Sequence, residues 1–345
     1  MEIQNGNTTN MTYAAVVSKN STSCTGIDIP LTKYYIPVMY SIICGIGLFG
    51  NVTAITVYVL KMRPWKISTI IMVNLAVTDL LYIASLPFLV EYYTHEENWT
   101  MGDFMCRFVR FGFHFNLYGS INFLTCFSIF RYIVIVHPIK SRKIQIKQWA
   151  IIACIIVWII SLAEVIPMIT MISMAERNGI VKCLDFASSI DVHQVWVYSW
   201  TLTVLGYFIP LLVVSACYSR IIYSLSNGPN TQSCHKLKAR RLAVIILVVF
   251  ILCFLPFHIL RALRIASRLQ LKSCIYNEVV NAAYIVSRPL AGLNTFFNLI
   301  LYVVGGDNFQ QALVSLLRCQ TLNNSLKHTA SNTAGNNQLH HKNNP

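Results

Sequence analysis

Charge is what this chain has least of. Only 12 % of its 345 residues are Asp, Glu, Lys or Arg, 55 % are hydrophobic, and the acids number just 13. A soluble globular domain carries about twice that charged fraction, so the composition excludes a water-soluble fold and points to a membrane. Other absences narrow the function. There is no phosphate loop, no metal-ligand spacing and no nucleophile motif, which leaves no enzyme chemistry to assign and calls for no cofactor or metal. No internal repeat is visible; a transporter of anionic metabolites, the alternative from another class, would show repeats with broken helices in corresponding halves. No lysine occurs from Val279 to Val304, so the last apolar run offers no amine for a Schiff base. Neither a basic start nor a short apolar segment with a cleavage site precedes Tyr34, and the first span is expected to act as the insertion signal.

What is present is a set of seven apolar runs, each long enough to span a bilayer: about Tyr34–Leu60, Ile67–Val90, Met105–Val136, Gln148–Met174, Val195–Tyr223, Leu242–Ile265 and Val279–Val304. The expected fold is all-α and membrane-embedded, a seven-transmembrane helix bundle over 34–304. A polar leader over 1–33 precedes it. A short amphipathic helix over 305–319, with Phe309, Leu313, Leu316 and Leu317 on one face, and a disordered tail over 320–345 follow it. The net charge of +14 would suggest nucleic acid in a soluble protein, but here the placement decides. One face of the bundle holds sixteen of the 27 basic residues against a single acid, Asp307. The positive-inside rule puts that face in the cytoplasm and the N-terminus outside. Three glycosylation sequons in the leader, at Asn7, Asn10 and Asn20, agree with that orientation. Cys319, after the amphipathic stretch, offers a palmitate site.

The third run is the axis of the chain. From Cys106 to Tyr132 it carries Arg107, Arg110 and His114 at one end, an uncharged stretch from Phe111 to Phe130, and Arg131 at the other. In one helix Arg110 and Arg131 stand ~32 Å apart, the thickness of a bilayer core. In the second run Asp79 is a mid-membrane carboxylate, which needs a partner; Asn51 and Asn298 are the candidates. Pro210 and Pro256 each free a carbonyl and permit a kink in the fifth and sixth runs. Of eleven cysteines, Cys44, Cys126, Cys154, Cys217 and Cys253 fall within spans as small apolar residues, whereas Cys24, Cys106, Cys183 and Cys274 lie outside, where disulfides persist. Three pairings are open to those four.

The candidate site is cationic. Arg110 and His114, four apart, share a helix face; His258, Arg261, Arg264 and Arg268 climb the outer end of the sixth run at spacings of three, three and four; Arg288 lies inside the seventh. Several desolvated cations facing one cavity repel one another, so a ligand with two carboxylates would offset the strain. Arginine suits that ligand because its planar fork makes paired hydrogen bonds to a carboxylate. Arg110, Arg261 and Arg288 are assigned as clamps, His114 and His258 as hydrogen-bond donors, Arg264 and Arg268 as rim residues that steer anions inward. Asp185, Glu91 and Glu164 are the candidate partners of Arg288 in the empty state, and Arg107 reads as an interfacial snorkelling residue.

Over nearly all of Tyr34 to Arg318 the chain resembles the class A, or rhodopsin-like, G protein-coupled receptors. The matching features are Gly50-Asn51, Asn74-Leu75-Ala76 with Asp79, Trp99, Cys106 with Cys183, Arg131-Tyr132, Trp158, Pro210 with Tyr218, Cys253-Phe254-Leu255-Pro256, and Asn298 with Tyr302. The resemblance implies disulfides Cys106–Cys183 and Cys24–Cys274. It also implies an activation switch in which Asp79, Arg131, Tyr132, Tyr218, Phe254, Pro256, Asn298 and Tyr302 change partners as the sixth helix opens a cleft for a heterotrimeric G protein. Phe130 stands where the family has an acid, Phe254 where it has a tryptophan, and Leu299 where it has a proline; the arginine–carboxylate lock is therefore missing. Within the family, Lys61-Met62-Arg63-Pro64-Trp65-Lys66, Phe113-His114-Phe115-Asn116-Leu117-Tyr118 and Ser287-Arg288-Pro289-Leu290 are similar to the branch that senses dicarboxylates. That implies a plasma-membrane receptor for an extracellular dicarboxylate, 2-oxoglutarate before succinate because of Phe130, acting through a Gq-type, phospholipase C and calcium route. A nucleotide or an acidic lipid such as a cysteinyl leukotriene is the alternative ligand.

Overall fold

A computed structural model of the chain describes residues 26–139, 147–177, 179–188, 191–227, 233–270, 273–305 and 309–316. Asn7, Asn10, Asn20, Cys24, Asp307, Leu317, Cys319 and the tail lie outside these residues. Six helices are long and apolar enough to cross a membrane: α1 Asp28–Leu60, α2 Ile67–Thr94, α3 Gly102–Val136, α4 Lys147–Met171, α5 Val192–Asn227 and α6 Leu237–Leu269. The seventh, α7, runs Cys274–Gly305, and the short α8 is Phe309–Leu316. Each expected span is found, most of them longer at one or both ends. The apolar faces pointing outward, such as Ile155, Ile159 and Ile166 on α4, are exposed because lipid, not protein, is their solvent.

α3 is the central helix. It packs against α2, α4 and α5, and most of its residues from Val109 to Ser128 are buried. Polar side chains join the helices where lipid offers no hydrogen bonds. Trp158 Nε1 donates to Asn74 Oδ1 at 2.8 Å, tying α4 to α2, and Asn122 Nδ2 donates to Ser161 and Glu164, tying α3 to α4.

The proline kinks take a particular form. Widened π-helical turns occupy Leu31–Tyr35, Val204–Phe208 and Val249–Phe254, and each ends two residues before a proline, at Pro37, Pro210 and Pro256. A proline ring collides with the carbonyl four residues back and supplies no donor to it. Widening the turn that contains that carbonyl relieves the collision. α7 is not the single run that the sequence predicts. It breaks at Leu293, whose amide donates to Pro289 O at 2.9 Å. Beside the break a Cβ on Gly292 would meet Tyr82 Oη at 2.6 Å, so glycine lets α7 lie against α2.

The stretch after α4 folds as a hairpin. β1 Ser173–Arg177 pairs antiparallel with β2 Ile180–Leu184, Met174 opposite Cys183; the Asn178-Gly179 dipeptide is the signal in the sequence that points to it. α8 packs on the bundle. Phe309 and Leu316 are buried, and the Phe309 ring packs 5.1 Å from that of Tyr58 in α1. This helix is anchored to the bundle as well as shaped for a membrane surface.

Candidate functional site

The hairpin builds one end of the bundle. Cys183 of β2 is disulfide-bonded to Cys106 in the first turns of α3, with Cα atoms 5.6 Å apart. Trp99, in the α2–α3 connection, donates its amide to Val181 O at 2.7 Å, and Lys182 pairs with Glu97. Arg110 lies one turn along α3 from Cys106, hence on the same face. Its Nη2 donates to the carbonyl of Cys183 at 2.7 Å. The disulfide thus fixes both the loop and the arginine beneath it. Cys274 is also disulfide-bonded; its expected partner, Cys24, lies outside the described residues.

Below the hairpin a cleft of about 390 Å³ receives side chains from α1, α2, α3, α6, α7 and β2. Arg110 and Arg288 face each other across it, 7 % and 9 % exposed. Their shared partner is neutral. Arg288 Nη1 donates to Tyr93 Oη at 3.0 Å and Arg110 Nη1 approaches the same oxygen at 3.4 Å. Tyr92, Tyr93 and Tyr284 offer ring faces to these guanidiniums at 5.4 to 6.0 Å, a weaker compensation than a counter-ion. Among the described residues neither arginine forms an ion pair with a carboxylate. Of the partners expected for Arg288, Glu91 is exposed, and Glu164 accepts from Asn122 on α3. Asp185 comes nearest. It is buried, accepts from Tyr284 Oη and the Phe186 amide, each at 2.8 Å, and is not bonded to Arg288. Burial pushes its carboxyl upward, but His114, Arg110, the Tyr284 hydroxyl and Arg288 outweigh that and hold it below the usual carboxylate range.

The structure divides the seven cations and histidines proposed from sequence. Arg110, Arg264 and Arg288 line the cleft. Arg261 is fully buried in a deeper tier: it donates to Tyr118 Oη at 2.7 Å, Thr203 Oγ1 at 3.1 Å and Ser199 O at 3.4 Å, with His258 Nδ1 at 3.2 Å. The rings of Phe186 and Phe257 lie 5.5 and 5.4 Å from the guanidinium. Helical spacing put Arg261 on the face of Arg264; the hydroxyls of Tyr118 and Thr203 and the carbonyl of Ser199 drew its long side chain away. His114 stands between the tiers, Nδ1 at 3.1 Å from Arg110 O. Arg268 donates to Ala187 O at 2.8 Å, bracing the loop. Arg107 turns away to Asp103 and Ile169 O. Tyr93, Tyr284, Asp28 and Lys182 line the cleft without a sequence signal, since tyrosines and charges at a helix end are ordinary interfacial residues.

Asp79 sits mid-bundle in a network wider than expected. It accepts from Asn116 at 2.9 Å, Asn298 at 3.0 and 3.3 Å, Tyr302 at 3.4 Å and Thr295 at 3.5 Å. Asn51 is one step removed, accepting from Tyr302 at 3.2 Å. At the far end Arg131 donates to Gly305 O at 2.6 Å and lies over the Phe127 ring. Phe254 is buried against Phe250, Pro256 follows the widened turn, and Tyr218 is buried beside Ser128. Tyr132 Oη meets His137 Nε2 at 3.1 Å. Arg131, Lys61, Arg63 and Phe130 border a second cleft of about 850 Å³.

An anion-suited cleft at one end of seven helices, and a buried polar path leading to an arginine at the other, is the plan of a signalling receptor. A model of the family described as 7 transmembrane receptor (rhodopsin family) matches residues 50–302. The chain belongs to that receptor family. It is similar to 2-oxoglutarate receptor 1 of Rattus norvegicus, 56 % identical over 300 residues, covering 87 % of this chain and 89 % of the relative. The protein of that name from Mus musculus is 55 % identical over 298 residues, covering 86 % and 88 %. A purinoceptor of Homo sapiens is 36 % identical over 312 residues, covering 89 % and 83 %. The receptor is therefore a multi-pass membrane protein with a small-molecule ligand and a G protein partner, and not an enzyme.

Proposed function

We propose that this receptor, with its N-terminus outside the plasma membrane, binds extracellular 2-oxoglutarate in the cleft between Arg110 and Arg288. The convergence of both arginines on one neutral hydroxyl carries this reading: the Nε atoms of both are buried and without an acceptor, which suits them to a carboxylate. The similarity to proteins named 2-oxoglutarate receptor 1 supports the choice among dicarboxylates. Arg264 stands at the mouth and Arg268 braces the loop beside it. His258 and Arg261 form the deeper tier, where His258 Nε2 and Arg261 Nε lack acceptors, and His114 Nε2, between the tiers, is also without a hydrogen-bond partner. A second carboxylate reaching toward His114 would draw α3, α6 and α7 together. The agonist shifts the population by its preference for that state, through Asp79, Asn298 and Tyr302 to Arg131, Tyr218 and a Gq-type G protein. Cys24–Cys274, the sequons and the basic inner face complete the proposal.

The test is calcium release in cells expressing the chain, dosed with 2-oxoglutarate, succinate and ADP, beside Arg110→Ala and Arg288→Ala at matched surface expression. A 2-oxoglutarate response lost in either variant is expected. Responses equal in the variants, or none to either dicarboxylate, would sink the ligand assignment and leave the receptor family standing.

A further inference from the structure

The second cleft lies at the end of the bundle that carries Arg131, away from the proposed ligand. It measures about 850 Å³, and four of its lining residues are cations: Lys61, Arg63 and Lys66 in the α1–α2 turn and Arg131 on α3. Among the described residues no acid lines it. The turn is held in shape. Trp65 Nε1 donates to Tyr58 O at 2.8 Å, and Arg63 Cζ lies 5.6 Å from the centroid of the Trp65 ring. α2 begins in the cleft wall, at Ile67, Ser68 and Thr69. Lys66, at its N-cap, makes no side-chain cap, and its first turn holds no acid, so the positive end of a long helix adds to the cations. Arg131 Nε is buried and without an acceptor. Beside the turn, Arg63, Pro64 and Trp65 border a neighbouring cleft with Lys147, the first residue of α4.

We infer that this cleft binds a lipid headgroup bearing several phosphates, presented by the leaflet around it. Four cations without an acid call for more than one negative charge, and phosphate oxygens accept from guanidinium forks, ammonium groups and helix-start amides alike. The volume suits a sugar-sized headgroup better than a single ion. The lipid source follows from what surrounds the cations. Leu60, directly before the turn, and Val134, in the cleft wall, are exposed apolar residues along which acyl chains can run, and basic pockets at a cytoplasmic helix end hold phosphorylated headgroups. That the leaflet is the inner one rests on the orientation proposed above. None of the lining residues comes from α5 or α6, so the site is apart from the side on which the sixth helix is expected to open.

The purified full chain is titrated with phosphatidylinositol bisphosphate, phosphatidylserine or soluble inositol trisphosphate, and bound molecules are counted by native mass spectrometry. The proteins are the parent, Arg63→Gln with Lys66→Gln, and Arg240→Gln with Arg241→Gln, two exposed arginines on α6 outside the cleft. The bisphosphate lipid is expected to bind more tightly than phosphatidylserine. The Arg63 and Lys66 variant should lose about thirtyfold, the contribution of two basic residues at a membrane surface, against less than about threefold for the α6 pair. An equal loss in the α6 pair overturns the inference, because bulk charge would then suffice. So does phosphatidylserine held as tightly as the bisphosphate lipid, or an affinity that the Arg63 and Lys66 variant leaves unchanged. Inositol trisphosphate held as tightly as the lipid overturns the lipid source. The assay contains no bilayer and is blind to orientation, so a C-terminal tag stained on unpermeabilised cells would overturn the inner-leaflet assignment on its own.

Discussion

Replacing Arg288 by glutamine should make the empty receptor more stable and the agonist weaker. The two hydrogen-bond lengths to Tyr93, 3.0 and 3.4 Å, keep the Nη1 atoms of Arg288 and Arg110 within about 6.4 Å of each other, which at an effective dielectric of 20 is a repulsion of about 2.5 kcal/mol. Removing the charge of Arg288 relieves that repulsion and the desolvation of a buried cation. What is lost is its hydrogen bond to Tyr93, about 0.5–1.5 kcal/mol net, its stacking on Tyr93 and Tyr284, about 0.5–2 kcal/mol, and a weak attraction to Asp185, for which Arg288 is the least of the charges named above. The relieved desolvation, several kcal/mol for a buried ion, together with the relieved repulsion outweighs these. The balance is a gain of about 1–2 kcal/mol, or a midpoint rise of about 2–6 °C. Agonist potency moves the other way, because a desolvated partner of a carboxylate contributes about 2–5 kcal/mol, at least thirtyfold. Thermal unfolding of purified receptor without ligand gives the first quantity and calcium dose-response the second. A lowered midpoint together with unchanged potency would refute the reasoning, since it would make Arg288 a structural residue that no ligand needs.

Three further outcomes are expected. Asn116→Ala leaves an oxygen of the buried Asp79 without its shortest hydrogen bond and should destabilise the receptor by about 1–3 kcal/mol in the same unfolding assay; an unchanged midpoint would remove Asn116 from the network. Phe130→Glu places a carboxylate beside Arg131, which now has only a backbone carbonyl as its hydrogen-bonded acceptor among the described residues. At about 1.5 kcal/mol for a charge-assisted bond, agonist-free inositol phosphate production should fall by up to tenfold, and a rise would show that the Gly305 contact restrains nothing. Asp185 is held below the usual carboxylate range, so its contribution is complete above the unfolded value of about 4 and is lost only as pH falls through the lower folded value. Between about pH 7 and 5 the change in agonist potency should therefore match that of Asp185→Asn, and a potency change in that window that Asp185→Asn abolishes would contradict it.

Spans, their order and the basic face were legible because a bilayer admits few solutions. Each helix must satisfy its own backbone and be long enough to cross, and both requirements are written in local composition. The same holds for Pro210 and Pro256, whose widened turns follow from the proline ring and the carbonyl four residues back. The candidate cations were visible as residue types that lipid does not tolerate. Which of them meet was not. Arg261 and Arg264 are three apart on one helix, and spacing makes them equivalent; the hydroxyls of Tyr118 and Thr203, on α3 and α5, take one of them into the core. Asp79 needed a partner from its burial alone, but Asn116 is 37 residues away, and only the packing of α2 on α3 brings them together.

The sequence by itself determined that this is a seven-helix membrane protein with an arginine-rich end, because hydrophobic length and charge placement are properties of the chain one segment at a time. Tertiary structure alone decided that Arg110 and Arg288 share Tyr93, that Asp185 stays off them, and that Asn281 of α7 holds Asp28 of α1. Those contacts join helices far apart in sequence, and hydrogen bonds select among long side chains by distances of a few tenths of an ångström, which no spacing along one helix encodes.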